Sequence, residues 1–245
     1  MPKIKVLNIE FDNLTLDEAA GRVMEFAQGD TPRIVVTPNA EIAECCYQNE
    51  QLSRAVAAAD MAVPDGISVV MASKILGRPL KTRLPGIDLA RMLFPMMIRK
   101  NLSLYLLGAK PDVAAKAAKN LQTEFPGLRI AGIQHGYFKN DDAVIEAVNR
   151  SGADVLFVAM GFPRQEIWMA ENRDQLRVGV MLGLGGSLDV FAGEVRRAPD
   201  FFIRLNLEWL YRLIKQPSRF GRMLKLPRYL LRAIGVRIFG GEQRK

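Results

Sequence analysis

Five short, mostly apolar runs, each closed by turn residues, constrain this chain more than any other feature: "RIVVT" (33–37), "LSLYLLG" (102–108), "RIAGIQ" (129–134), "DVLFVAMG" (154–161) and "VGVMLGLGG" (178–186). Runs this short suit strands buried on both faces, which is how a parallel sheet is built. Between them lie helical patterns at 14–28, 40–59, 66–76, 87–100, 111–125 and 141–150. Alternating strand and helix predict an α/β fold, with a Rossmann-like, mostly parallel sheet flanked by helices. In "GAKPDVAAKAAKNLQ" a glycine leaves the strand, Pro111 opens the helix and alanines carry it. An apolar fraction of 49% over 245 residues supplies the core.

Open parallel sheets bind ligands beyond the carboxyl ends of their strands. The informative loops are therefore "TPNAE" (37–41), "HGYF" (135–138), "GFPRQE" (161–166) and "GLGGSLD" (183–189). Gly183, Gly185 and Gly186 can turn backbone N–H groups toward an anion, or simply make a tight packing turn. A nucleotide-diphosphate pocket is the better-supported use, with Asp189 available for a ribose hydroxyl and Tyr137 for stacking on a base or for plain packing. The dinucleotide fingerprint G-x-G-x-x-G would need glycine at 188, where Leu188 stands, so a nicotinamide or flavin cofactor loses its main support and no cofactor is expected. Asp65, in "AVPDGISVV", is either a solvated helix cap or a working group at a cleft, because an unpaired charge drawn out of water is costly.

Other chemistries lack their parts. His135 is the only histidine, no G-x-S-x-G elbow accompanies it, and it has no zinc partners, so a structural role is expected. Cys45 and Cys46 are adjacent and suit neither a disulfide framework nor a metal site; buried thiols are expected. No D-x-D pair exists to clamp Mg²⁺ or Mn²⁺ on a diphosphate, so no metal is expected and phosphate charge must meet Arg, Lys or backbone amides.

The net charge of +8 is concentrated at one end: residues 211–245 hold ten Lys or Arg and one acid, against 24 cations and 25 acids before them. Arg212, Arg219, Arg222, Lys225, Arg228 and Arg232 recur mostly every three or four residues, interleaved with Phe220, Met223, Leu224, Leu230, Leu231, Ile234, Ile238 and Phe239 and broken by Pro217 and Pro227. A basic amphipathic pattern of this kind suits an anionic membrane surface, or an ordinary terminal helix with a solvated face, although such a face normally mixes signs and this one holds a single acid. Nucleic acid fits it less well, since Phe220 and Tyr229 make no stacking platform. The start, "MPKIKVLNIEFDN", has no signal-peptide core, and no run of about 18 apolar residues occurs, so a cytoplasmic protein without a transmembrane span is expected.

Taken in order, "TPNAE", "PDGISVV", "RLPGIDL", "GFPRQEIW", "GLGGSLDVFAGEVRRAP" and "LEWLYRLIKQPSRFGR" resemble the WecG/TagA/CpsF family of bacterial glycosyltransferases, from about residue 4 to 222. The resemblance implies an inverting, metal-independent transfer of a sugar, N-acetylmannosamine foremost, from a UDP-sugar donor to an undecaprenyl-diphosphate-linked N-acetylglucosamine-type acceptor. The setting it implies is cell-wall polysaccharide or teichoic acid synthesis at the cytoplasmic membrane face. It also implies an α/β core (1–198) followed by a basic, helical, membrane-targeting appendage (199–245). On matching positions, Asp65 resembles the proposed catalytic base, and Thr37 and Asn39 its polar neighbours. Arg83 and Gln165 fall at the substrates, and Arg212, Arg219 and Arg222 resemble arginines that reach over the pocket toward phosphates. Leu188 stands where the family has phenylalanine, a departure bearing on sugar preference. Two rivals stand beside this reading: a non-catalytic nucleotide- or nucleic-acid-binding module, and, more weakly, a nicotinamide-dependent oxidoreductase. Whether the chain forms a homo-oligomer is left open.

Overall fold

A computed structural model describes residues 3–215, 217 and 220–240. The chain opens with an antiparallel hairpin, β1 (Lys3–Val6) and β2 (Ile9–Asp12). Helix α1 (Leu16–Phe26) follows, started by a capping box in which Thr15 Oγ1 accepts from the Glu18 N–H and the Glu18 carboxylate accepts from the Thr15 N–H. Six parallel strands form the main sheet: β3 (Arg33–Val36), β4 (Met61–Ala62), β5 (Ser103–Gly108), β6 (Arg129–Gln134), β7 (Val155–Ala159) and β8 (Val180–Gly183), in the spatial order β4-β3-β8-β7-β5-β6. Central strands β5, β7 and β8 are buried along their whole length, as continuous apolar runs require.

The connections are α2 (Ala40–Cys46), α3 (Glu50–Ala57), α4 (Ile67–Ile75), α5 (Gly86–Arg99), α6 (Pro111–Glu124), α7 (Asp141–Ser151), α8 (Arg164–Asn172) and α9 (Ser187–Phe191). The expected helix at 40–59 is two helices, because Asn49 caps a new one, its side chain accepting from the Leu52 N–H. The expected strand at 178–186 stops at Gly183, since Gly185 turns the chain at φ +53°. The hairpin and the two-residue edge strand β4 are too short to leave a periodic pattern. Buried Asp12 joins them: its carboxylate accepts from the Ala62 N–H at 3.0 Å and from Arg22 at 3.2 Å, so the sheet edge is covered.

Two apolar layers enclose the sheet. On one face pack α2, α3, α4, α7 and α8 with the hairpin; on the other pack α1, α5, α6 and α9, centred on Phe94, whose ring lies 5.0 to 6.0 Å from those of Phe125, Phe157 and Phe191. Adjacent strands β3 and β8 therefore send their chains to opposite faces, β3 into α2 and β8 into α9. The crevice this leaves at their carboxyl ends is the usual ligand position in an open α/β sheet.

The basic end forms α10 (Asp200–Arg204), α11 (Glu208–Lys215), α12 (Phe220–Met223) and α13 (Lys225–Phe239). Pro227 does not break the last helix but occupies its first turn, where a missing N–H costs nothing. Helix α13 packs on α2 and α4 with Tyr229 fully buried, its hydroxyl donating to the Val6 carbonyl at 3.4 Å. Arg228 and Arg232 pair with buried Glu44 at 3.3 and 3.0 Å, and Arg232 stacks 4.0 Å above the Tyr47 ring. These two cations hold the helix to the core. The opposite side exposes Phe220, Leu224, Leu231, Ile234 and Ile238 at intervals mostly of three or four, an apolar stripe along α12 and α13. Among the described residues no helix is long and apolar enough to cross a membrane.

Tyr229→Ala is expected to lose about 3–5 kcal/mol in urea unfolding, the range for deleting a large buried ring. Leu231→Ala, on the exposed side of the same helix, should stay within about 0.5 kcal/mol. Equal losses would mean that α13 is docked the other way round.

Candidate functional site

A cleft of about 500 Å³ opens at the carboxyl ends of β4, β3, β8 and β7, large enough for a nucleotide-sized ligand. The exit of β3 brings Thr37 and Asn39, that of β4 brings Asp65, and that of β8 brings Gly185 and Gly186. Gln165, on the first turn of α8, enters beside Gly161 and Phe162, and Arg83 arrives from the loop before α5. Seven of the residues singled out from the sequence thus meet in one place. Two others do not. Tyr137 follows β6, which the sheet order puts at the far edge, and its exposed side chain lies outside the lining. Asp189 sits in the first turn of α9, its Oδ2 3.7 Å from where a Cβ on Gly186 would stand, and is not part of the cleft lining.

Each lining group has a defined local state. The Thr37 hydroxyl donates to the Gly183 carbonyl at 3.2 Å, tying the β3 and β8 exits together. Asn39 caps α2 by accepting from the Glu41 and Ile42 N–H groups at 2.9 and 3.0 Å. Its side-chain oxygen is committed there, which leaves the amide N–H₂ for a ligand. Asp65 is half-buried and stands one residue before Gly66, the cap of α4, so it is outside the helix rather than its cap. A Cβ on Gly66 would lie 3.1 Å from Asn39 Cβ; glycine there lets the Asp65 and Asn39 loops close against each other.

The terminal segment makes one wall. Asn206, with Glu208 and Trp209 of α11, Met223 of α12 and Leu226 of α13, completes the cleft, and Arg83 donates to Glu208 at 2.7 Å with both side chains about one-tenth exposed, 11% and 9%. Nearby, Arg197 pairs with Asp88 through both ends of its guanidinium at 2.6 and 2.8 Å. Burial opposes the Arg197 charge, but Asp88, Glu208 and Asp65 together outweigh it, so the guanidinium titrates above its ordinary value. Arg212 falls on α11 and Arg222 on α12, both helices of this wall, but their side chains are outside the described part; Arg219 lies outside the described residues altogether.

The remaining sequence candidates have plainer places. His135 Nδ1 accepts from the Tyr137 N–H at 3.1 Å, a loop contact away from the cleft. Cys46 is buried and its thiol is pushed up to about 12, by burial first and then by Cys45 and Glu166; Cys45 is only half-buried, its Sγ 3.1 Å from Lys225 Nζ. Leu188 is fully buried in the core layer that α9 covers and does not line the cleft. Among the described residues no three His, Cys, Asp or Glu side chains converge as metal ligands.

Sequence reasoning missed Glu166, Arg197, Glu208 and Trp209. Glu166 and Glu208 each stand in the first turn of a helix, where an acid reads as a dipole partner. Only the fold reveals that both are buried, at 2% and 7% exposure.

An open parallel sheet with a polar cleft where neighbouring strands lead to opposite faces defines a class, the α/β proteins that bind a ligand beyond the carboxyl ends of their strands. The glycosyl transferase WecG/TagA/CpsF family model matches residues 4–243, and the chain belongs to that family. A relative from Bacillus spizizenii is 42% identical over 196 residues, 80% of this chain and 76% of its own length. One from Bacillus subtilis is 38% identical over 198 residues, 81% and 77% of the two chains. One from Staphylococcus aureus is 35% identical over 231 residues, covering 93% and 91%. All three are named N-acetylglucosaminyldiphosphoundecaprenol N-acetyl-beta-D-mannosaminyltransferase.

Burial lifts the Glu166 carboxyl to about 7 against an ordinary 4.5, outweighing its hydrogen bonds. The folded state thus keeps a proton that the unfolded chain has released, and this contribution is full below pH 4.5 and lost as the pH rises to about 7. Glu166→Gln removes the titration. Its stability relative to wild type is expected to climb across that window by roughly 1.4 kcal/mol per pH unit, on the order of 3 kcal/mol by pH 8. Urea unfolding at pH 4.5 and 8 reads it; a constant difference would contradict the burial.

Proposed function

We propose that this chain transfers N-acetylmannosamine from a UDP-linked donor to an N-acetylglucosamine carried on undecaprenyl diphosphate, with inversion and without a metal, in cell-wall polysaccharide or teichoic acid synthesis. The observation that carries the reading is the convergence of Asp65 with Thr37, Asn39, Arg83, Gln165 and the Gly185–Gly186 turn at one cleft, in a chain whose relatives are named for that transfer.

In this reading the Asp65 carboxylate takes the proton of the acceptor hydroxyl as its oxygen bonds to the anomeric carbon of the donor. The bond from that carbon to the diphosphate oxygen breaks on the opposite side, and UDP leaves with the bonding pair. The charge on UDP must be met by fixed groups. Arg83 retains N–H donors beyond the one held by Glu208, Gly186 lines the same space while the Gly185 N–H is held by Gln165 rather than offered to an anion, and Arg212 and Arg222 belong to helices that wall it. The neutral amide of Asn39 and the hydroxyl of Thr37 orient sugar hydroxyls. The lack of a D-x-D pair in the sequence is in keeping with arginine in the place of a cation.

A lipid-linked acceptor gives the apolar stripe on α12 and α13 a use. Leu231, Ile234 and Ile238 enter the interface while neighbouring cations such as Arg237 meet anionic headgroups, which seats the cleft beside the membrane surface. This is peripheral attachment at the face where the acceptor lies.

Asp65→Asn is expected to lower turnover with UDP-N-acetylmannosamine and a short-chain lipid-diphosphate acceptor by about 10²–10⁴-fold, with UDP affinity and melting temperature near wild type. Wild-type turnover would remove Asp65 from the chemistry, and loss of wild-type activity in chelator would remove the metal-free step. Leu231→Ser with Ile238→Ser should release the protein from phosphatidylglycerol vesicles in a sedimentation assay while leaving it folded. Undiminished sedimentation would show that the stripe does not bind lipid.

A further inference from the structure

Glu166 stands out as a buried acid that the transfer chemistry above does not use. It is 2% exposed, and one of its oxygens, Oε2, has no hydrogen-bond partner. A carboxyl in that condition is a poor choice for stability alone, since an apolar side chain of similar volume fills such a site without the cost of desolvation. Its other oxygen explains its presence. Oε1 accepts from Gln165 Nε2 at 2.8 Å, and Gln165 Oε1 in turn accepts from the Gly185 N–H at 2.9 Å. The polarity of this chain is fixed from its far end: a backbone N–H can only donate, so the Gln165 oxygen must face Gly185 and its nitrogen must face Glu166. The Gln165 side chain lies flush across the end of β8, where a Cβ on Gly183 would come within 3.1 Å of its Nε2. Gly185 is the residue at positive φ that turns the chain into the cleft.

We infer that Glu166 is a positioning residue, whose buried carboxyl holds the Gln165 amide in the one orientation that grips the Gly185 N–H and so sets the shape of the loop facing the donor diphosphate. A carboxyl at this place can accept and, in the geometry seen, presents only an acceptor to Gln165 Nε2; without it the amide can rotate, offer nitrogen to Gly185, and release the turn. The functional half of the inference rests on the donor reading of the cleft. The structural half does not.

The test uses the full chain and three variants, Glu166→Leu, Glu166→Gln and Gln165→Ala, with the Glu166→Leu/Gln165→Ala double variant. Two readouts are taken besides melting temperature: hydrogen exchange of the Gly185 amide by NMR without ligand, and UDP affinity by calorimetry. Glu166→Leu and Gln165→Ala should each speed Gly185 exchange and weaken UDP about tenfold, the scale of one lost hydrogen bond at a buried site. The double variant should be no worse than Gln165→Ala, because both act through one amide. Glu166→Gln, which keeps an acceptor oxygen, should stay near wild type in both readouts, and Glu166→Leu should melt no lower than wild type. Additive losses in the double variant, or Gly185 exchange untouched by Glu166→Leu, would overturn the inference. Should Glu166→Leu fail to fold, a Gln165→Ala variant with unchanged Gly185 exchange overturns it equally well. If wild-type protein binds no UDP while Gly185 still responds to Glu166→Leu, the donor reading falls and the positioning of the turn stands.

Discussion

The parting of two neighbouring strands governs this molecule. β3 and β8 lie side by side and parallel, pairing Arg33 with Val180 through Val35 with Leu182, yet their chains leave to opposite faces of the sheet. The parting leaves a crevice at their carboxyl ends, with Gly86 at the start of α5 packed against Thr37 and Leu184 beside it, and polar groups of the strand exits line that crevice. Everything assigned to the site depends on that gap being narrow: the Thr37 hydroxyl bridges it to the Gly183 carbonyl, and Gly66 brings the Asp65 loop against Asn39. The result is a wall-to-wall arrangement in which a carboxylate, an amide, a hydroxyl and a glycine turn share one cleft without any of them distorting a regular element.

The basic end of the chain divides its charge between two tasks. Arg228 and Arg232 both pair with buried Glu44, and Arg232 stacks on Tyr47, which ties the last helix to the core. The same docking turns an apolar stripe outward and sets α11 and α12 beside the cleft, with the Arg83–Glu208 pair as the tie between wall and loop. Under the proposed function, attachment to a lipid surface and binding of the donor fall to one segment, because α12 and α13, which present the stripe, also supply Met223 and Leu226 to the cleft.

Much of this was legible in the residues. Strands buried on both faces announce themselves as apolar runs, and a family's motifs, met in order, located Asp65, Arg83 and Gln165 before any geometry was known. What was hidden has physical causes. Strand order is not written in periodicity, so nothing in "HGYF" discloses that β6 lies at the sheet's far edge and takes Tyr137 with it. Asp189 follows a glycine turn as a ribose-binding acid would, and only the fold shows that it stands on α9 beside Gly186 and outside the cleft lining. Glu166 and Glu208 look like solvated acids of a first helical turn, and burial, which depends on the packing of distant segments, is what makes them matter. The uneven charge of the tail is plain in the sequence, but Glu44, which pairs with Arg232, lies 188 residues upstream, and no periodic pattern links the two.

The central claim is that a UDP-linked donor enters at the β3–β8 parting. Hydrogen–deuterium exchange with and without UDP, followed peptide by peptide on the wild-type protein, tests it most directly. The account predicts slowed exchange at residues 37–42, 65–68 and 184–187 and none at 135–138. Protection at 135–138 with 184–187 unaffected would contradict it.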